Sequence, residues 1–354
     1  MSESPFTNES NTPLVVAPAP FNKDSTDLIL HTADNVAFHV WKVILIEASP
    51  VFGDMIALGN TPHTASDEAT PDGAHPPAVQ LTETSAALEP FLRMCYPPSH
   101  PPVSFSQLDT LRSVIEVAHK YQADGVLQVL KNLLVETFSP AEPLRVSAIA
   151  VRLEMADVVE ASARDFLAIP AFGPYSGELE DVSAGAYHRL LAYRSECHDA
   201  LEEMVESKLA WLADDTWRFR VSCTSCAASP VTCSIPDSTA VFVPRAWFWH
   251  HRNRMAERLK GRPCGAALES ASVLERGIRG IVEASSCGLC RAIVPEMLRA
   301  FNDRLREEVD RRIDEVGLPC CSGPRGVADA VARRSQYPKS ILPYDDMATA
   351  AVWS

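Results

Sequence analysis

Two cysteine pairs have the spacing of metal ligands: Cys223 and Cys226 in VSCTSCAASPVTC, and Cys287 and Cys290 in EASSCGLCRAI. Two thiolates two residues apart on a tight turn supply one edge of a tetrahedron, and two such edges complete a four-coordinate structural zinc site. The pairs are separated by 60 residues, wider than in a zinc ribbon or knuckle, so a shared ion would staple two distant segments. Cys233 and Cys264 are substitute ligands. The same cysteines also fit reduced, half-buried thiols or a reactive pair in a thiol-dependent enzyme or redox protein. Thioredoxin-like chemistry, however, places its CxxC after a strand in a βαβ unit, and no such pattern surrounds either pair.

Other chemistry has less support. The stretch PRAWFWHHRNRMAERLKGR sets Trp247, Phe248 and Trp249 beside His250, His251, Arg252 and Arg254, the mixture that single-stranded nucleic acid binding uses. Phe248, Met255 and Leu259 nevertheless share one helical face, which makes them core and the arginines a solvated rim. Adjacent histidines on a helix point about 100° apart and make a poor metal edge. There is no phosphate-binding glycine pattern, no nucleophile elbow and no zinc-protease signature. The chain reads as a non-enzyme.

The elements that must position these residues are bounded by composition. With 354 residues, 46% hydrophobic and 22% charged, the chain can bury a sizeable core and should form two domains. A net charge of −14 repels nucleic acid and anionic membranes. The N-terminus lacks the basic and apolar regions of a secretory signal, and no apolar run reaches membrane-spanning length. An intracellular protein, cytoplasmic or nuclear, is expected, with its ten cysteines reduced. Three stretches read as unfolded or partly ordered: a leader over 1–24, a loop over 59–77 and a tail over 319–354.

Between them, Leu28–Leu30, the turn Ala33-Asp34-Asn35 and the alternation of Val36, Phe38 and Val40 predict a hairpin. KVILIEAS has the composition of a buried helix, and Ser49-Pro50 supplies a cap and a first-turn proline for the next. AVQLTE offers a third short strand. SAALEPFLRMCY, SQLDTLRSVIEVAHKYQA and GVLQVLKNLLVETF carry helical periodicity. In this order, DLIL, DNVAFHVWKVIL, ASPVFGDM, FLRMCYPPSHPP and VIEVAHKYQADGVLQVL resemble the BTB/POZ domain over residues 25–138, in the form common in fungal proteins. The resemblance implies an α+β fold, with a three-stranded sheet against a helical cluster. It also implies homodimerisation or docking onto other proteins, in some members onto a cullin as a ubiquitin-ligase adaptor, in others as a nuclear regulator. The self-association surface would draw on Asp27, Phe38, Val40, Trp41 and Lys42. Trp41-Lys42 stands where the family usually has His-Lys, so a large aromatic replaces a polar group.

From 140 to 318 the periodicity is that of a mainly α-helical domain. PLRVSAIAVRLEMADVVEASARDFLAI predicts a short helix pair. Tyr187, Leu190, Arg194, Cys197, Leu201, Val205 and Leu212 fall near one stripe of a long helix. A last helix over about 288–316 aligns Val294, Leu298, Phe301, Leu305 and Val309.

Overall fold

The computed structural model describes residues 14–59, 76–97, 103–170, 172–207, 209, 211–212, 227–228, 232–234, 241–268, 271–284 and 287–317. These form two compact units, residues 1–166 with 174–182, and residues 167–173 with 183–354. No helix among the described residues is long and apolar enough to cross a membrane.

In the first unit, β2 (Leu28–His31) and β3 (Val36–Val40) form the expected antiparallel hairpin, with Leu30 opposite Phe38. Its turn is closed by Thr32, whose Oγ1 accepts from Val36 N at 3.0 Å. Asn35, at φ 58°, takes a left-handed conformation that its short polar side chain tolerates. The sheet has four strands rather than three: β4 (Ala78–Gln80) runs parallel to β2, and β1 (Val15–Val16) parallel to β3, in the order β1-β3-β2-β4. Residues 14–24 are therefore not an unfolded leader. Phe21 is fully buried, its ring 5.6 Å from that of Phe38, and its carbonyl accepts from His39 N at 2.9 Å. A two-residue strand among prolines is too short to show alternation in the sequence. The loop expected over 59–77 lies, from residue 60 to 75, outside the described residues, as does the tail from 318.

Helices α1 (Lys42–Ala48) and α2 (Pro50–Gly59) follow β3 directly. Ser49 Oγ accepts from Phe52 N at 3.1 Å and donates to the Tyr121 carbonyl, so one hydroxyl caps α2 and ties it to α4. Then come α3 (Ser85–Cys95), α4 (Leu108–Lys120), α5 (Asp124–Leu133) with a π-helical turn to Phe138, α6 (Pro143–Arg152) and α7 (Ala156–Phe166). Phe52 stacks on Tyr121 with centroids 4.3 Å apart. One hydrophobic core runs from Ala17 through Val159 and includes Val146, Ile149 and Val158. The α6-α7 pair thus buries its apolar faces with the sheet, and the compact unit continues past 138 through Phe166.

After α7 the chain returns to this unit over Pro174–Val182, where Gly177–Asp181 makes a 3-10 turn. Glu178 there is buried against Arg145, whose Nε and Nη2 donate to its Oε1 at 3.0 and 2.6 Å. That guanidinium holds the Glu178 carboxyl at about 2. Because the folded-state value lies below the ordinary glutamate range, the pair stabilises the fold fully above that range and loses its contribution as pH falls towards the folded value. An acid unfolding transition that shifts to higher pH in Glu178→Gln is expected from circular dichroism titrations.

The second unit opens on α8 (Ala184–Glu206), capped by Ser183, whose Oγ accepts from Ala186 N at 3.2 Å. A short hairpin, β5 (Cys233–Ser234) with β6 (Val241–Phe242), leads into α9 (Ala246–Gly261). Helices α10 (Ala271–Ala284) and α11 (Gly288–Val316) complete it. The α11 stripe of Val294, Leu298, Phe301, Leu305 and Val309 is buried as expected. Neither the hairpin nor α10 was among the expected elements, although Leu274, Ile278 and Ile281 recur at helical spacing.

Helices α8 and α9 run antiparallel and cap each other. Arg194 of α8 donates through Nη2 to the Gly261 carbonyl at the end of α9, at 2.8 Å. Arg252 of α9 donates to the Val205 carbonyl near the end of α8 and lies over the Trp249 ring at 4.8 Å. Cations at carbonyls left open by a helix end are favourable, which explains an arginine inside the predicted apolar stripe. Arg194→Lys, which keeps charge but cannot span the Gly261 and Leu167 carbonyls together, is expected to lower stability by about 1 to 2 kcal/mol in denaturant titrations.

A candidate interaction surface and the cysteine sites

Helix α1 reads KVILIEA. Four successive apolar residues cannot all face one core at 3.6 residues per turn. Leu45 is fully buried, while Val43 and Ile46, one turn apart, are 62% and 45% exposed. Lys42 precedes this apolar pair and Glu47 follows it. Leu14 and the two residues of the edge strand β1, Val15 and Val16, are also more than half exposed, and among the described residues that strand pairs with β3 alone. Single exposed apolar residues are ordinary. An apolar helix face and an apolar sheet edge on one small unit are the features of a docking surface.

The residues expected at this surface divide. Phe38 and Val40 are 1% and 0% exposed within the hydrophobic core, which corrects their assignment to an interface: the buried face of β3 carries them inward. Asp27 is exposed but has an internal task, its Oδ1 accepting from Lys42 N at 2.8 Å to cap α1. Trp41 is half-buried, and its backbone N–H donates to Tyr96 Oη at 3.0 Å. Lys42 is half-buried at the start of α1. Val43 and Ile46 were hidden in the sequence by the apolar run around them.

Of the metal-ligand candidates, Cys223 and Cys226 lie outside the described residues. Cys287 is the N-cap of α11, and Cys290, in its first turn, is fully buried. The two cysteines of this pair therefore stand one turn apart at the start of one helix. Ala227 and Ala228 follow the first pair directly, and they sit at the start of α9: the Ala227 carbonyl accepts from Ala246 N at 3.0 Å, and Ala228 bridges to Arg245. Helices α9 and α11 run the same way, since Phe248 packs on Phe301 at 4.9 Å, His251 bonds Asn302 at 3.0 Å, and Gly265 lies against Asp310. The start of α9 thus lies beside the middle of α11, near Phe301, and not beside its first turn.

Cys233 and Cys264 are buried, and burial raises the Cys264 thiol above its ordinary range. Burial pushes the Cys95 thiol up to about 12. Thiols held protonated at neutral pH are poor nucleophiles. His198, Asp199 and Glu202 bring ligand atoms within 4.8 Å of one another on α8, with both carboxylates exposed. In the aromatic stretch, Phe248 and Trp249 are 0% and 8% exposed, so those rings are packed and not available to stack on bases.

Comparison with known proteins places a BTB/POZ domain at residues 19–138. No curated protein matches the chain.

Proposed function

We propose that the chain, whose residues 19–138 form a BTB/POZ domain, acts as a non-enzymatic adaptor that pairs two copies through the outer face of α1 and recruits other proteins to the pair. BTB/POZ domains mediate protein–protein interaction. The observation that carries the pairing is the exposed Val43–Ile46 face with Lys42 at one end and Glu47 at the other. Two such helices packed antiparallel about a two-fold axis bury valine and isoleucine at the centre and set each Lys42 beside the partner copy's Glu47. Light scattering of the full chain tests this. A dimer at about 50 µM is expected, and a clean monomer there overturns it.

A cullin scaffold, with the chain as ubiquitin-ligase adaptor, or a nuclear regulatory complex are the recruited partners that a BTB/POZ domain at residues 19–138 favours. Both put the protein in the cytoplasm or nucleus. For the helical unit we infer one structural zinc held by Cys223, Cys226, Cys287 and Cys290. The all-cysteine donor set suits that ion, and the N-cap placement of Cys287 with Cys290 in the first turn of α11 supports it. Its chemistry is structural: four thiolates leave no open position for a substrate or water.

A further inference from the structure

We propose that three arginines on α4 and α6 form a docking slot for acidic peptides carrying a Glu-x-x-Asp turn, held shut by the chain's own strap at 174–182. The slot consists of Arg112 on α4 with Arg145 and Arg152 on α6. Glu178 of the strap occupies the Nε/Nη2 edge of Arg145 and lies 3.6 Å from Arg112 Nη1. Asp181 lies 3.7 Å from Arg112 and 3.4 Å from Arg152. In a 3-10 turn the side chains at i and i+3 eclipse, so this turn presents both carboxylates to the same side, and the slot reads both ends of the spacing.

The strap is held by these charges and not by apolar burial. Glu178 is the one buried residue between Pro174 and Val182, Tyr175 is 74% exposed, and Leu179 is only half-buried. A grip of that kind can be exchanged for the same two carboxylates on another chain. The strap can leave without unravelling a helix of its unit, because α7 has already ended at Phe166 and the chain on both sides of the strap belongs to the other unit. The slot is not a general anion site. Asp109 and Glu142 pair with Arg145 at 2.6 and 2.8 Å, and Glu116 pairs with Arg112 at 3.0 Å and with Arg152. These carboxylates offset the arginine charge, so an occupant must place a carboxylate on the Arg145 edge rather than bring bulk negative charge. In cis the strap has an effective concentration on the order of millimolar, which keeps the slot filled until the strap is released. The slot uses none of the α1 residues and does not rest on the pairing proposed there.

The test titrates a fluorescein-labelled peptide of residues 174–184, PYSGELEDVSA, into the full chain and reads anisotropy. The wild-type chain is expected to show no binding below about 1 mM. Glu178→Lys/Asp181→Lys, which expels the strap by repulsion from the arginines, is expected to bind with Kd of roughly 10 to 100 µM. Binding should be lost on adding Arg145→Gln, and the peptide with Gln in place of Glu178 should not bind. Glu178→Gln/Asp181→Asn replaces the double lysine variant if circular dichroism shows the latter unfolded. Absence of binding to a folded strap-released chain, binding that survives Arg145→Gln, or equal binding of polyglutamate and an oligonucleotide would each overturn the proposal.

Discussion

The full chain purified in reducing, chelator-free buffer is expected to carry one zinc, and alanine at any one of Cys223, Cys226, Cys287 or Cys290 to remove the metal and cost several kcal/mol of stability. A structural ion's binding free energy is largely folding free energy, since the unfolded chain does not preform its ligand set. The second pair stands at the start of α11, whose Val294, Leu298, Phe301, Leu305 and Val309 fill the core of the helical unit. Fraying at that end loosens the stripe that follows it. The four variants should lose stability to a similar degree, because three ligands cannot hold what four do. Cys197, fully buried on α8, is the control: its alanine variant should keep the zinc and lose only about 1 kcal/mol for a small core truncation. Elemental analysis and thermal melts decide. Metal content near zero, or one of the four variants melting like wild type while the others collapse, defeats the four-cysteine assignment. In the second case Cys233 or Cys264 becomes the next ligand to test.

Where local periodicity coincides with burial, the sequence was sufficient. The alternation of Val36, Phe38 and Val40 marks β3, and Ser49-Pro50 marks the start of α2, because cap and proline act within a few residues of where they are read. The long α11 was legible for the same reason, since its stripe repeats over many turns. What was hidden depends on contacts between distant residues. Strand β1 is two residues long and exists because β3 offers an edge. Glu178 reads as one of several acids in GELED and becomes buried only because Arg145 meets it from α6. Arg194 reads as an anomaly in an apolar stripe until the end of α9 is placed beside it. The surface assignment failed in an instructive way: Phe38 and Val40 are apolar and alternate, which is the signature of a core-facing strand, whereas Val43 and Ile46 belong to a run too continuous for its outward face to show.

Glutamate at both Val43 and Ile46 is expected to convert the dimer to a monomer and to weaken pairing by at least about 100-fold, with the melting of the isolated chain little changed. Each side chain is largely exposed within its own copy, so replacement removes little from the core. Across a two-fold contact every substitution acts twice, and the double variant sets four carboxylates against one another in a small interface. Like charges brought together without water cost several kcal/mol, and about 2.7 kcal/mol is a factor of 100 in Kd. The flanking charges make the argument more specific. If two α1 helices meet antiparallel, Lys42→Glu alone and Glu47→Lys alone each place like charges at both ends of the contact and weaken pairing. A mixture of the two single variants then regains it as a heterodimer, because each end of the mixed pair sets a glutamate of one copy against a lysine of the other. The charge-swapped double variant Lys42→Glu/Glu47→Lys should pair with itself as the wild type does. Light scattering and mixing of differently tagged copies read all of these. A dimer that survives Val43→Glu/Ile46→Glu excludes α1 from the interface and leaves the β1 edge, with Leu14, Val15 and Val16 exposed, as the surface to test next.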